Sequence, residues 1–454
     1  MGKKKTGNIM DRFAGDKVIW MILILLILFS LVTIFSSTSL LASMQKTDRV
    51  SILKEQSVVV LLGLALVILC YSIKRVSLLR TLSKYGFAVS FVLVALMAVR
   101  TPILPFIVPK EVNHAWRILV IGGFQLHVFE VVKVAMVMYL SWAVDAYRFD
   151  GFHLSKRLAR HPRLKFFETD LGQRVFYIYI PIIITCGLIL TGSVSSALFI
   201  GLIFFATILI GGISIKDVVY PGIAAVVLLT GAVLVYQATG WKALNRLGTA
   251  ASRITSSDQD LIDTILDPGI NTNSKAYTEA VDDLRQPYSA KLAIRQGGLI
   301  GKGPGESTQR DVVPIMYSDY MYSFIIEEYG LLGGVFIIIL FSSLLARGAM
   351  IAGWLDDYFA KTAVAGLVVL TVGQAFMHMA INLDLVPRTG QTLPLISHGN
   401  TSFLAFSIVF GIILSLSREA KKNHADRLAA EAEKAGLPEA EESATEESEN
   451  EENS

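Results

Sequence analysis

The sequence predicts an all-α polytopic membrane protein of about ten transmembrane helices with one large extracytoplasmic loop, and three observations carry that reading. Of 454 residues, 53% are hydrophobic and only 17% are charged, against about a quarter in soluble domains, and the mean hydropathy is +0.54. The apolar residues fall in blocks close to the ~20 that cross ~30 Å of hydrocarbon. Basic residues gather in alternate connections, as the positive-inside rule requires. The net charge of +3 is too small to argue for a nucleic-acid partner.

Residues 1–17 form a cytoplasmic tail carrying Lys3, Lys4 and Lys5. The apolar run that follows is too long for a signal h-region and lacks a small-residue cleavage site, so it stays as the first span. Spans are expected near 18–42, 57–73, 82–100, 128–144, 174–191, 194–214, 218–237, 322–346, 363–381 and 400–417. The unbroken apolar stretch 174–214 is about twice one span and divides at Gly192-Ser193. With the N-terminus inside, the basic connections 74–81, 145–173, Lys216 and 347–362 share its side. The loops 101–127, 238–318 and 382–399 face outside. Ten helices then return the chain to the cytoplasm, where 419–454 reads as a disordered acidic tail. Cys70 and Cys186 lie inside apolar blocks, which argues for neither a disulfide nor a metal site.

Charges within apolar spans cost several kcal/mol and need a partner or a use. Glu130 and Lys133 stand at i, i+3 on one face of the fourth helix, as a helix-stabilising ion pair or as the lining of a polar cavity. The run Gly301-Lys302-Gly303-Pro304-Gly305, followed by Arg310, is a flexible turn or a cradle in which two cations hold a diphosphate. Asp319 sits where an outer loop enters the eighth helix. Its apolar flanks favour a raised pKa and a base role, and a helix cap is the alternative. Glu327 and Glu328 lie two turns on, with Glu327 close to the face of Asp319, where the two could line one cavity, and two adjacent carboxylates in a span point to a buried polar network rather than a surface feature. The run from Pro387 to Ser402 is a rigid polar loop containing Arg388, Thr389, Ser397 and His398. It suits a segment that re-enters the bundle against protein or a wet cavity.

These runs resemble the SEDS family (shape, elongation, division and sporulation) over nearly all of residues 18–418. The family's Pro, an Asp five residues on, and Glu-Glu-x-Gly match Pro314, Asp319 and Glu327-Glu328-Tyr329-Gly330 in register. Its Gly-x-Gly-x-Gly run matches Gly301 to Gly305, and its Pro-x-Thr-Gly-x-x-Leu-Pro-x-x-Ser-x-Gly run matches Pro387 to Gly399. Two further blocks match in part through Asn113, Ala115, Arg117, Glu130 and Lys133. Ile315, His378, Asp384 and Asn400 depart from the pattern.

The resemblance implies a peptidoglycan glycosyltransferase of the bacterial cytoplasmic (inner) membrane that polymerises lipid II on the outer face. Asp319 is then the catalytic base, and Arg117, Lys133, Lys302, Arg310 and Arg388 hold pyrophosphate or sugar phosphates. Glu130 positions Lys133, while Glu327, Glu328, Thr389, Ser397 and His398 complete the substrate-binding set. A divalent cation (Mg or Mn) is an expected aid to the leaving group, although no metal-ligand spacing accompanies it. A class B penicillin-binding transpeptidase and other division membrane proteins are the implied partners. The entry Gly15 to Trp20 and the stretch Gln309-Arg310-Asp311 look like the division branch, with the elongation branch as sibling alternative. A precursor flippase would instead need a through-going polar path, whereas the charges here cluster in the outer half.

Overall fold

The computed structural model describes residues 15–434 except 100–106, 113–114, 123, 150, 191, 240–257, 268, 270, 273, 314–315 and 388. Ten helices account for the ten expected spans. They are α1 (Lys17–Ser37), α2 (Arg49–Tyr71), α3 (Val76–Val99), α4 (Val128–Arg148), α6 (Asp170–Leu190), α7 (Val194–Ile210), α8 (Ile215–Thr239), α10 (Met321–Trp354), α11 (Tyr358–Asn382) and α12 (Asn400–Lys434). Eight of them are long and apolar enough to cross a membrane on length and composition alone. The other two are α7, which is shorter, and α4, which carries Glu130, Lys133 and Asp145.

The centre of the bundle is built from α4, α10, α11 and α12, whose inward faces supply residues such as Phe324, Phe341, Phe359, Phe406 and Phe410. By contrast α8 packs against α7 and leaves most of its length exposed, as an apolar helix does where lipid is the neighbour. At one end of the bundle the charges are paired. Asp16 caps α1 by accepting from the Val18 and Ile19 N–H groups and takes Arg347 Nε at 2.6 Å. Arg80 bridges Asp145 at 3.4 Å and Asp357 at 2.9 Å.

Three features add to or differ from the expectation. The connection 101–127 holds a three-stranded antiparallel sheet, β1 (Ile107–Val112), β2 (Ala115–Ile121) and β3 (Phe124–His127). Gly122, at φ 56°, turns β2 into β3 so that Ile121 pairs with Phe124. Within the long loop 238–318, whose fold the sequence leaves open, α9 (Lys275–Gly297) packs its buried Ala290 and Ala293 against α10. The last helix does not stop at 418. It continues to Lys434, because Arg427 reaches Asp356 and His424 stacks on Trp354 at 4.5 Å. Residues 435–454, the remainder of the expected acidic tail, lie outside the described residues.

Candidate active site

Two sequence motifs meet as halves of one joint. The helix α10 is interrupted at Gly330, whose φ of 71° and ψ of −174° are non-helical. Such a break frees backbone groups that an uninterrupted ladder would pair, and they need partners when buried. The 298–303 segment supplies them. The N–H groups of Lys302 and Gly303 donate to the carbonyls of Glu327 and Glu328, both at 2.9 Å. In return, the Leu331 and Leu332 N–H groups donate to Gly298 O at 2.9 Å and Leu299 O at 3.2 Å. Glycine is required on both sides: a Cβ on Gly330 would lie 2.2 Å from Leu299 O, and one on Gly301 2.3 Å from Glu328 O.

The two buried glutamates finish the joint. Glu327 accepts from Lys302 Nζ at 2.7 Å, Ser307 Oγ at 2.5 Å and the Thr308 N–H at 2.9 Å. Glu328 accepts from Ser36 Oγ at 2.5 Å and the Gly305 N–H at 3.0 Å, with Arg310 Nη1 at 3.7 Å. Lys302 and Arg310, expected to face a diphosphate, are thus engaged with Glu327 and Glu328. Glu327 turns to the glycine loop, so the structure does not bring it together with Asp319 in a shared cavity lining.

Asp319 ends a short helix, Met316–Asp319, and its partly exposed carboxylate accepts from Ser318 Oγ at 2.9 Å. It does not cap the long helix, since the N-cap of α10 is Tyr320 and makes no side-chain cap bond. A buried polar column on α11 supports this corner. Asn382 Nδ2 donates to the carbonyl of Asp319 at 3.0 Å, and its Oδ1 accepts from the Ser323 N–H at 3.0 Å. One turn away, His378 Nε2 accepts the Tyr322 N–H at 3.3 Å, which leaves Nδ1 to donate to Gln391 O at 2.6 Å. A further turn along, Gln374 Nε2 donates to Thr392 O at 3.0 Å.

The polar loop predicted to re-enter the bundle closes the other side. Ser397 Oγ donates to Ser318 O at 2.7 Å, and the His398 N–H donates to Tyr317 O at 2.9 Å. The His398 ring lies tilted on Tyr317 at 5.5 Å with Nδ1 3.3 Å from Gln56 Oε1. Burial lowers the His398 pKa to about 4, and burial together with the Asp319 charge raises that of Tyr317. The unfolded His398 titrates near 6.5, so it binds a proton there while the folded one does not. Its contribution to stability is present above that value and falls as pH drops from about 6.5 towards 4. A His398→Gln variant is accordingly expected to lose less stability than wild type between those values, as read by melting temperature against pH.

Lys133 is 2% exposed and donates to Glu130 Oε1 at 2.8 Å and Gln374 Oε1 at 2.5 Å, so the i, i+3 pair forms and joins the α11 column. Glu130 Oε2 is buried with no hydrogen-bond partner. A buried pair is costly to break one-sidedly. Lys133→Met is expected to cost about 3–5 kcal/mol, and adding Glu130→Gln should recover most of that loss in thermal unfolding. If the double variant is no more stable than the single one, the stranded Glu130 charge is not the source of the loss.

Arg117 lies on β2, with its side chain outside the described residues, as is Arg388, while Thr389 Oγ1 is buried with no hydrogen-bond partner among the described residues. Among the described residues no group of three His, Cys, Asp or Glu side chains could hold a metal ion. The described side chains around Asp319 thus form no such group. Sequence reasoning passed over Gln374 and Asn382. Their signal is a polar residue every fourth position, 374, 378 and 382, inside an apolar span.

The architecture defines a multi-pass membrane protein whose polar centre is made by two loops folded back onto helix ends and a helix break. The chain belongs to the FtsW/RodA/SpoVE family of cell cycle proteins, whose model matches residues 16–422. The probable peptidoglycan glycosyltransferase FtsW of Caulobacter vibrioides is 43% identical over 137 residues, which are 30% of this chain and 35% of that protein. The protein of the same name from Geobacter metallireducens is 26% identical over 407 residues, 89% of this chain and 95% of that one. A structure described by the structural coordination of polymerization and crosslinking in a peptidoglycan synthase complex shares the fold, with a TM-score of 0.61 at 19% identity over 90% of this chain and 98% of that one. The rod shape determining protein RodA of Thermus thermophilus gives 0.54 at 19% identity over 90% and 99%.

Proposed function

We propose that this protein is a peptidoglycan glycosyltransferase that polymerises lipid II, the disaccharide-pentapeptide carried on undecaprenyl pyrophosphate, on the outer face of the cytoplasmic membrane. The observation that carries the reading is Asp319. Its carboxylate stands on a short helix between spans, excused from capping α10, with its backbone clamped by Asn382 and its neighbour Ser318 by Ser397. A carboxylate placed this way is held in position through the backbone at the bend between two spans.

The reaction joins two sugars. A hydroxyl of the acceptor attacks the anomeric carbon of the donor, the bond from that carbon to the pyrophosphate oxygen breaks with inversion, and the lipid pyrophosphate leaves with the bonding pair. The hydroxyl proton passes to Asp319 as general base. Positive charge near the leaving group lowers the barrier further, a part for which Arg117 and Arg388 are the sequence's candidates. Lys302, Arg310, Glu327 and Glu328 shape the site by fixing the glycine loop, and Lys133 with Glu130 ties α4 to the column beneath Asp319.

The names of the relatives, FtsW among them, favour a role in cell division over elongation, in partnership with a class B penicillin-binding transpeptidase and other division proteins. The topology with both termini in the cytoplasm follows from the basic connections and is part of the proposal. The test is reconstitution in vesicles with labelled lipid II, with and without the transpeptidase. Glycan strands are the expected product. Transfer of lipid II across the bilayer without strands would assign the protein to transport instead.

A further inference from the structure

The connection between α4 and α6 is far more constructed than a solvated loop needs to be. Its helix α5 (His153–Leu158) is followed by a 3-10 segment, Pro162–Glu168, and then by α6, whose second turn is a π-helix over Val175–Tyr179. π-Turns re-aim side chains and cluster where a position has a job. This one brings Tyr177 flat against Phe152 at 3.8 Å, with Trp142 edge-on to Phe152 at 5.9 Å. Ser155 Oγ donates to Phe167 O, and the Gly172 N–H donates to Thr169 Oγ1 at 3.1 Å. The result is a platform fixed from beneath by a small aromatic core.

Its outward side carries two kinds of residue at once. Arg157, Arg160, Arg163 and Lys165 are exposed, and no ion pair is formed by any of the four among the described residues. Leu154 and Phe166 flank them in the chain, 52% and 51% exposed. The segment begins at the end of one span, Arg148, and ends at the start of the next, Asp170, so it lies at a single membrane boundary. Basic side chains flanked by exposed apolar ones at that depth match a surface that inserts its apolar tips between lipids while its cations meet headgroup phosphates.

We propose that residues 153–166 form a landing pad for the anionic phospholipids of the adjoining leaflet, with Arg157, Arg160, Arg163 and Lys165 on the headgroups and Leu154 and Phe166 in the acyl boundary. The attraction is electrostatic in onset and is screened as the Debye length falls from about 10 Å at 0.1 M salt to about 3 Å at 1 M.

The test uses the full-length protein in lipid nanodiscs, with Cys70→Ala and Cys186→Ala as background and a polarity-sensitive fluorophore on Leu154→Cys. Adding phosphatidylglycerol to phosphatidylcholine discs is expected to shift the emission to the blue. The shift should be lost at high salt and in the variant with Arg157, Arg160, Arg163 and Lys165 all changed to Gln. That variant should keep its melting temperature, since all four side chains are exposed, and native mass spectrometry should find fewer phosphatidylglycerol molecules on it. Emission that ignores lipid charge, or a shift that survives in the four-Gln variant, overturns the proposal. So does a blue-shifted emission in phosphatidylcholine alone that disappears when residues 435–454 are removed, because the acidic tail would then be the occupant.

Discussion

Gly330→Ala is expected to destabilise the protein by about 3 kcal/mol or more. A φ of 71° with ψ of −174° belongs to a region that is essentially glycine's alone, worth about 1–3 kcal/mol in backbone strain for any other residue. The added methyl also meets Leu299 O at 2.2 Å, a backbone atom that moves only if the 298–303 segment moves. That displacement weakens the four backbone hydrogen bonds of the joint, each worth about 0.5–1.5 kcal/mol, and loosens the grip of Lys302 and Ser307 on Glu327. Thermal unfolding in detergent gives the stability, and protease sensitivity of the 298–310 loop reports the local opening. A loss below about 1 kcal/mol with an intact loop would contradict the account of the joint, since that is less than the backbone strain alone.

The second large effect is chemical. Asp319→Asn keeps the size and the Ser318 contact but removes the ability to accept a proton, so polymerisation should fall by about two to four orders of magnitude, the range that general base catalysis supplies. The stability should stay within about 0.5 kcal/mol of wild type, as expected for a partly exposed residue outside the core. The contrast with Gly330→Ala is diagnostic: one substitution removes activity from a stable protein, the other removes stability first.

The ten spans were legible because a bilayer imposes a length of about 20 residues, and that constraint shows in the sequence whatever the tertiary packing. The charged helix α4 was legible for the same reason despite Glu130 and Lys133. The sheet at 107–127 was not, because strands of four to seven residues carry too few alternations to stand out from an irregular loop. The continuation of α12 to Lys434 escaped too, since its last turns are polar and hold their shape through Arg427 and His424 on a neighbouring connection.

At the site, each half of the glycine joint was visible as a motif, but nothing local to Gly330 says which loop takes up the freed carbonyls 25 residues upstream. Hence Glu327 reads as sharing a cavity lining with Asp319, whereas its oxygens accept from Lys302 and Ser307. The clamp on Asp319 was hidden for a related reason. Asn382 acts through the carbonyl of Asp319, a contact of the backbone that leaves no trace in residue chemistry, and only the four-residue spacing of Gln374, His378 and Asn382 hints at it.

The most direct measurement is lipid II polymerisation by wild type and Asp319→Asn purified side by side, with melting temperature and lipid II binding read on the same samples. The account predicts glycan strands from wild type and none from the variant, with both proteins equally folded and both binding lipid II. Strands of equal yield from both would contradict the assignment of Asp319 as the base.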